Sequence, residues 1–235
     1  MIPVWLDEQQ SDQPFPDASL ALTEPNGLLA IGGDLSPSRL LSAYRQGIFP
    51  WYSDGEPVMW WSPEPRAVLY PDQVIISRSL ARTLKKHTLV VTFDQAFPDV
   101  VRACAAARPG SPGTWITGEM YQAYCRMHEL GHAHSIEAWH GSSLVGGLYG
   151  LAIGCVFFGE SMFHRERDAS KIAFINLVDL LISWRYKLID CQLPNRHLSS
   201  LGATLVPRQK FTALLNEFCQ QPPHELSWTM RPSSE

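Results

Sequence analysis

The chain has 235 residues, of which 45% are hydrophobic and 18% charged, with a formal net charge of −4. That apolar content excludes an intrinsically disordered chain, and the length allows one large domain or two modest ones. The negative balance excludes a globally basic nucleic-acid binder, although a local basic stripe remains compatible with it. Five cysteines (Cys104, Cys125, Cys155, Cys191 and Cys219) show no CxxC spacing and read as reduced thiols. Residues 1–16 carry acids and prolines and no apolar run of signal-peptide length. No segment approaches the ~18 apolar residues of a membrane span, and the chain shows no internal repeat.

Residues 1–66 are rich in Pro, Gly and Trp and read as turns with short helices, a small N-terminal domain without a sheet. Ser36 and Pro37 predict a helix start and Gly47 its stop. The aromatic stretch from Phe49 to Trp61 is stiffened by prolines and reads either as a small aromatic core or as a stacking surface. From about Val68 the texture becomes alternating strands and helices, so 67–235 reads as a second domain. A helix capped by Ser77 carries Arg78, Arg82 and Lys85 or Lys86 on one face. A strand at Leu89–Thr92 follows, then a helix capped by Asp94, a helix over Thr117–Leu130, and a hairpin of Ser135–Trp139 with Leu144–Leu151. Ala152–Phe158 reads as a buried strand, and Asp168 as the cap of a long apolar helix. Lys187–Gln192 is a strand, followed by a short helix, a strand at Ala203–Val206 and a last helix near Gln209–Cys219. The order predicts an α+β fold with a mixed sheet flanked by helices.

Several constellations could carry chemistry. His128-Glu129-Leu130-Gly131-His132 is a literal HExxH, the helical zinc-hydrolase signature, but it falls at a helix end, and Ser135 and Ala138 stand where the longer metzincin pattern needs Gly and His. Glu160 follows a buried strand, where open sheets place ligands. Asp190 and Gln192 are two apart in a strand, so both side chains are expected on one face, hydrogen-bonded to each other, with Cys191 opposite. No histidine is placed to activate any thiol. The loop 163–171 contains no glycine, which disfavours a pyrophosphate or coenzyme A cradle.

Taken together, the chain resembles the bacterial leucyl/phenylalanyl-tRNA–protein transferase family from about Phe15 to Arg208. The resemblance rests on Glu24-Pro-Asn-Gly-Leu-Leu-Ala30, Gly32-Gly-Asp-Leu-Ser-Pro37, Tyr44-Arg-Gln-Gly-Ile-Phe-Pro-Trp51, Trp60-Trp-Ser-Pro63 and Ser77-Arg-Ser-Leu80. It continues through Thr114-Trp-Ile116, Gly131-His-Ala-His-Ser135, Leu144-Val-Gly-Gly-Leu-Tyr-Gly150, Gly159-Glu-Ser-Met-Phe163, Ala169-Ser-Lys171, Leu188-Ile-Asp-Cys-Gln192 and Ser200-Leu-Gly-Ala203. Three positions depart from the family pattern: Ile75, His164, and the link Trp184-Arg-Tyr186.

The resemblance implies a small N-terminal domain before an acetyltransferase-like (GNAT) domain, and a cytoplasmic, monomeric enzyme with neither metal nor cofactor. It implies transfer of Leu or Phe, and less well Met, from leucyl-tRNA or phenylalanyl-tRNA to the α-amino group of proteins with N-terminal Arg or Lys, marking them for N-end-rule degradation. Asp190, Gln192 and Glu160 are its implied catalytic residues. Leu148, Phe157, Met162, Phe174, Leu177 and Leu181 line the implied side-chain pocket. Trp51, Trp115, Tyr44 and Tyr124 surround the implied tRNA 3′-adenosine, and Arg78, Arg82, Lys85 and Lys86 are candidates for tRNA phosphates. A zinc hydrolase built on His128 and His132, or a non-catalytic tRNA- or peptide-binding relative, are the alternative readings.

Overall fold

The computed structural model describes residues 2–86, 88–106, 115–224 and 227–229. Its first part holds the short strands β1 (Val4–Leu6), β2 (Leu28–Gly32), β3 (Phe49–Pro50) and β4 (Met59–Trp61), with helix α1 (Pro37–Arg45) between β2 and β3. Ser36 caps α1 by accepting from the Arg39 amide, with Pro37 in its first turn, as the sequence predicts. The expectation of turns without a sheet is overturned, because these strands pair in the order β1-β2-β4-β3. Strands of two to five residues are too short to display a two-residue period, and β2 finds both its partners, β1 and β4, more than twenty residues away.

The second sheet has seven strands in the order β11-β5-β10-β9-β8-β7-β6. In chain order its parts are β5 (Arg66–Leu69), α2 (Arg78–Leu84), β6 (Val90–Phe93), α3 (Phe97–Ala105) and α4 (Gly118–Glu129). There follow β7 (Ala133–His140), β8 (Ser143–Ile153), β9 (Val156–His164), α5 (Ala169–Ser183), β10 (Leu188–Gln192), α6 (Arg196–Ser200), β11 (Thr204–Val206) and α7 (Arg208–Phe218). All neighbours are antiparallel except β9 and β10, which run parallel and are joined by the α5 crossover. This is the expected mixed α+β sheet flanked by helices. Among the described residues no helix is long and apolar enough to cross a membrane.

The period of two in the strands builds two cores. Tyr149, Leu151 and Phe158 join Phe97, Val100 and Val101 of α3 on one face. Leu148 and Phe157 join Ala173, Phe174, Leu177 and Leu181 of α5 on the other. The first core also contains Leu6, Leu40, Tyr44, Phe49 and Trp60, so the N-terminal sheet packs into it directly.

Some local expectations change. Asp94 does not cap α3. It turns the chain at φ 55°, and its carboxylate accepts from the Ser135 amide at 2.8 Å. Asp168 precedes α5 at φ 62° with no capping hydrogen bond, and pairs with Lys171 at 2.9 Å. The buried strand expected at Ala152–Phe158 is broken by the tight turn at Gly154 that joins β8 to β9.

Two bulges interrupt the sheet where it matters most. Tyr149 pairs with Ser161 and Gly150 with Gly159, so Glu160 is the extra residue of β9. On β10, Asp190 pairs with Val68 and Gln192 with Ala67, so Cys191 is the extra residue. At Gly150 a Cβ would lie 2.2 Å from the Phe158 carbonyl oxygen and 2.7 Å from the Phe157 ring. Gly150→Ala therefore destabilises the fold by about 1–3 kcal/mol or more, the range for forced overpacking. Denaturant unfolding checks this, and an unchanged midpoint would contradict it.

Candidate functional site

The site forms where the two bulges meet. Asp190 is fully buried, and Arg66 grips its carboxylate with a two-pronged contact: Nε to Oδ1 at 2.8 Å and Nη2 to Oδ2 at 2.7 Å. Oδ1 also accepts from the Gln192 main-chain N–H at 2.9 Å. Asp190 and Gln192 are thus joined, but through the main chain and not side chain to side chain. The bulge breaks the expected alternation and turns Gln192 to φ 59°. The Gln192 side-chain amide instead donates from Nε2 to Glu160 Oε1 at 2.9 Å.

Glu160 has two further partners. Tyr44 Oη donates to Oε1 at 2.7 Å and Tyr124 Oη to Oε2 at 2.8 Å. Burial pushes the Glu160 carboxyl from its ordinary 4.5 up to about 7. The two tyrosine hydroxyls and Arg66 pull against that rise, and the Asp190 charge adds to it. Burial likewise holds both tyrosines well above their ordinary value, so they stay neutral donors. Cys191 is also pushed far up by burial, which removes it as a nucleophile near neutral pH.

Glu160, Asp190 and Gln192 line one cavity of about 1410 Å³. Its apolar wall includes Leu148, Phe157, Met162, Phe174 and Leu177, five of the six residues expected there. Leu181 is fully buried further along α5 and is not part of the wall. His164, Arg165, Arg167 and Lys171 also line the cavity.

The four aromatics expected around an adenosine separate into two kinds. Tyr44 and Tyr124 have no exposed surface, and their rings pack edge-on against Phe158 and Tyr149. Neither offers a face for stacking; each contributes its hydroxyl to Glu160. Trp51 is 42% exposed and tilts against Trp61 at 5.7 Å, whereas Trp115 is half-buried against the first core. Arg78, Arg82, Lys85 and Lys86 are all exposed along α2 and its end, and among the described residues none has a carboxylate within ion-pair distance.

The HExxH segment does not assemble as a helical metal pair. His128 ends in the last turn of α4, and its Nδ1 lies 2.8 Å from the Ala133 carbonyl, while its ring stacks on Phe97. The side chains gathered near it are Asp94 and His134, not His132. His134 Nδ1 lies 2.7 Å from Asp94 Oδ2, and its ring stacks on Trp228. The three side chains latch the Asp94 turn onto β7, with each Nδ1 already engaged in a hydrogen bond.

Arg66 is the site residue that sequence reasoning missed. The available signal was an arginine opening the apolar run Ala67-Val68-Leu69. A charge entering a buried strand needs a buried partner of opposite sign.

A family model described as leucyl/phenylalanyl-tRNA protein transferase matches residues 68–216, and the model of its N-terminal domain matches 33–64. The chain is 54% identical over 227 residues to the leucyl/phenylalanyl-tRNA–protein transferase of Pseudomonas syringae, covering 97% of this chain and 98% of that one. It is 53% identical over 228 residues to the protein of the same name from Chromobacterium violaceum, covering 97% and 96%. A solved structure, L-PGS from Bacillus licheniformis, overlays at a TM-score of 0.41 with 11% identity, across 73% of this chain and 57% of that one, a likeness too loose to carry functional weight.

The raised Glu160 value makes a stability prediction. Between about pH 4.5 and 7 the folded chain holds a proton at Glu160 that the unfolded chain has released. Its contribution is therefore present in full below that window and is lost as pH rises through 7. The difference in unfolding free energy between the wild type and Glu160→Gln falls across the window, as read by denaturant titration at several pH values. A difference that stays flat would contradict the assignment.

Proposed function

This chain belongs to the leucyl/phenylalanyl-tRNA protein transferase family of aminoacyltransferases, and on that premise we propose that it moves Leu or Phe, and less well Met, from leucyl- or phenylalanyl-tRNA to proteins with N-terminal Arg or Lys. The product would be a protein marked for N-end-rule degradation in the cytoplasm, and the enzyme would act as a monomer. The observation that carries the reading is one polar chain, Arg66–Asp190–Gln192–Glu160, whose last three members line a cavity with an apolar wall.

The donor is an activated ester, so the protein's work is positioning and proton handling. The acceptor's amine nitrogen attacks the ester carbonyl; the new C–N bond forms as the C–O bond to the ribose breaks, and the ribose oxygen leaves with a proton. Before attack the ammonium must lose a proton. Glu160, at about 7, is matched to take it near neutral pH. Gln192 commits its Nε2 to Glu160, which leaves the amide carbonyl as the end that accepts from the incoming amine. A neutral amide is a poor base, so this role is one of orientation. The Glu160 carboxylate, when ionised, also favours a cationic acceptor terminus.

The transferred side chain enters the apolar wall of Leu148, Phe157, Met162, Phe174 and Leu177. One methylene in such a wall discriminates by only about 1–3 kcal/mol, which accounts for acceptance of Met. Trp51 and Trp115 would stack on the terminal adenosine. Arg78, Arg82, Lys85 and Lys86 would meet phosphates and supply affinity without sequence preference.

Single-turnover transfer of labelled Leu from charged tRNA to an Arg-initiated peptide tests the proposal. Asp190→Ala and Gln192→Ala each lower the rate by about 10²-fold or more, the scale of lost positioning and proton transfer, with tRNA affinity retained. A folded wild type that binds charged tRNA and transfers nothing would sink the proposal. In a second measurement, changing Lys85 and Lys86 to Gln lowers the slope of log K against log salt by roughly 1 for each phosphate that is no longer neutralised. An unchanged slope would remove Lys85 and Lys86 from the tRNA interface.

A further inference from the structure

Resting on the transferase reading above, we infer that Arg66 is a positioning residue of the reaction: acting through Asp190, it holds the main chain at Gln192 in the turn that brings the Gln192 amide to Glu160. Gln192 sits at φ 59°, a left-handed conformation that a residue with a long side chain adopts only when its surroundings impose it. What imposes it is the hydrogen bond from the Gln192 N–H to Asp190 Oδ1 at 2.9 Å. That bond requires the Asp190 carboxylate to be held in one orientation, and Arg66 provides this. Its Nε and Nη2 each take one carboxylate oxygen, so the carboxylate plane cannot rotate.

The guanidinium is held in turn. It lies between the rings of Phe49 in β3 and Phe211 in α7, 4.7 Å from each centroid. One side chain thus ties the N-terminal sheet and the last helix to the strand that carries Gln192. Stability alone is a poor account of this pair. Both side chains are essentially without solvent exposure, and Arg66 Nη1 has no hydrogen-bond partner among the described residues. A buried ion pair of this kind is often no better for stability than apolar residues of the same volume, whereas its fixed geometry specifies a position. Lysine cannot replace it, because a single ammonium has neither the fork nor the planar face.

The test uses the full chain with Arg66→Met and Arg66→Lys. Maximal single-turnover transfer is measured at saturating leucyl-tRNA, together with KM for the tRNA and amide hydrogen exchange resolved at Gln192. The expected result is a fall in maximal rate of about 10²-fold for the Met variant and at least about tenfold for the Lys variant, with KM for tRNA changed by less than about threefold. Exchange speeds at the Gln192 amide, while Tyr149 and Leu151 in β8 keep wild-type protection. If the Met variant does not fold, the same readings on the Lys variant decide. A Lys variant with wild-type rate overturns the inference. So does exchange that speeds equally throughout the molecule, which would make Arg66 a plain structural residue. A wild type that transfers nothing would instead defeat the transferase reading, and exchange at Gln192 would still test the Arg66–Gln192 linkage.

Discussion

The arrangement depends on one buried ion pair, Arg66 with Asp190. Both charges are withdrawn from water, which is expensive unless each finds a partner. The match is made by a fork of two hydrogen bonds at 2.8 and 2.7 Å and by two aromatic faces against the guanidinium. The participants come from distant parts of the chain: Phe49 from the N-terminal sheet, Arg66 from the start of β5, Asp190 from β10 and Phe211 from α7. Arg66 and Asp190 meet across adjacent strands of one sheet, and the rings that cover the guanidinium come from the other sheet and the last helix. The first hydrophobic core, running from Leu6 to Leu215, packs around the same junction.

The second determinant is the pair of bulges on adjacent strands. In a regular sheet, successive side chains alternate between faces, and residues such as Glu160 would belong to one core or the other. An extra residue in β9 and another in β10 break that alternation just past the last parallel pair of the two strands, Asp190 with Phe158. Glu160 and the Gln192 amide are thereby brought within hydrogen-bond distance although 32 positions apart. Gly150 makes the first bulge possible by letting the Phe158 carbonyl approach where any side chain would obstruct it.

Polar and apolar chemistry are then kept apart within one cavity. Phe174 and Leu177 of α5 supply the apolar wall together with Leu148, Phe157 and Met162 of β8 and β9, and the bulged strand ends supply the carboxylates and the amide. Tyr44 and Tyr124 come from the other core and reach Glu160 through their hydroxyls alone. Burial of Glu160 itself keeps its carboxyl near neutrality, and the carboxyl remains hydrogen-bonded because neutral hydroxyls can satisfy either protonation state of their partner.

Much was legible in the amino-acid order. Caps such as Ser36, Ser77 and Thr117 act through the next few residues, so they mark α1, α2 and α4 directly. Long strands and the apolar helix announce themselves by period, and the α+β class follows from their succession. The residues of the polar chain were mostly visible too: Glu160, Asp190 and Gln192 are polar groups in apolar strands, which demand partners. What the order could not determine was which partners. The N-terminal strands are too short to carry a period. Asp94 and Asp168 have the right residue type for caps, but Asp94 is drawn to His134 by a contact across space and Asp168 to Lys171 three residues on. Tyr44 and Tyr124 look like stacking surfaces until burial removes their faces. Local sequence determines what a residue can donate, accept or bury. Only the tertiary structure decides which distant group receives it, because a bulge or a buried charge is stable only in the presence of the neighbours that satisfy it.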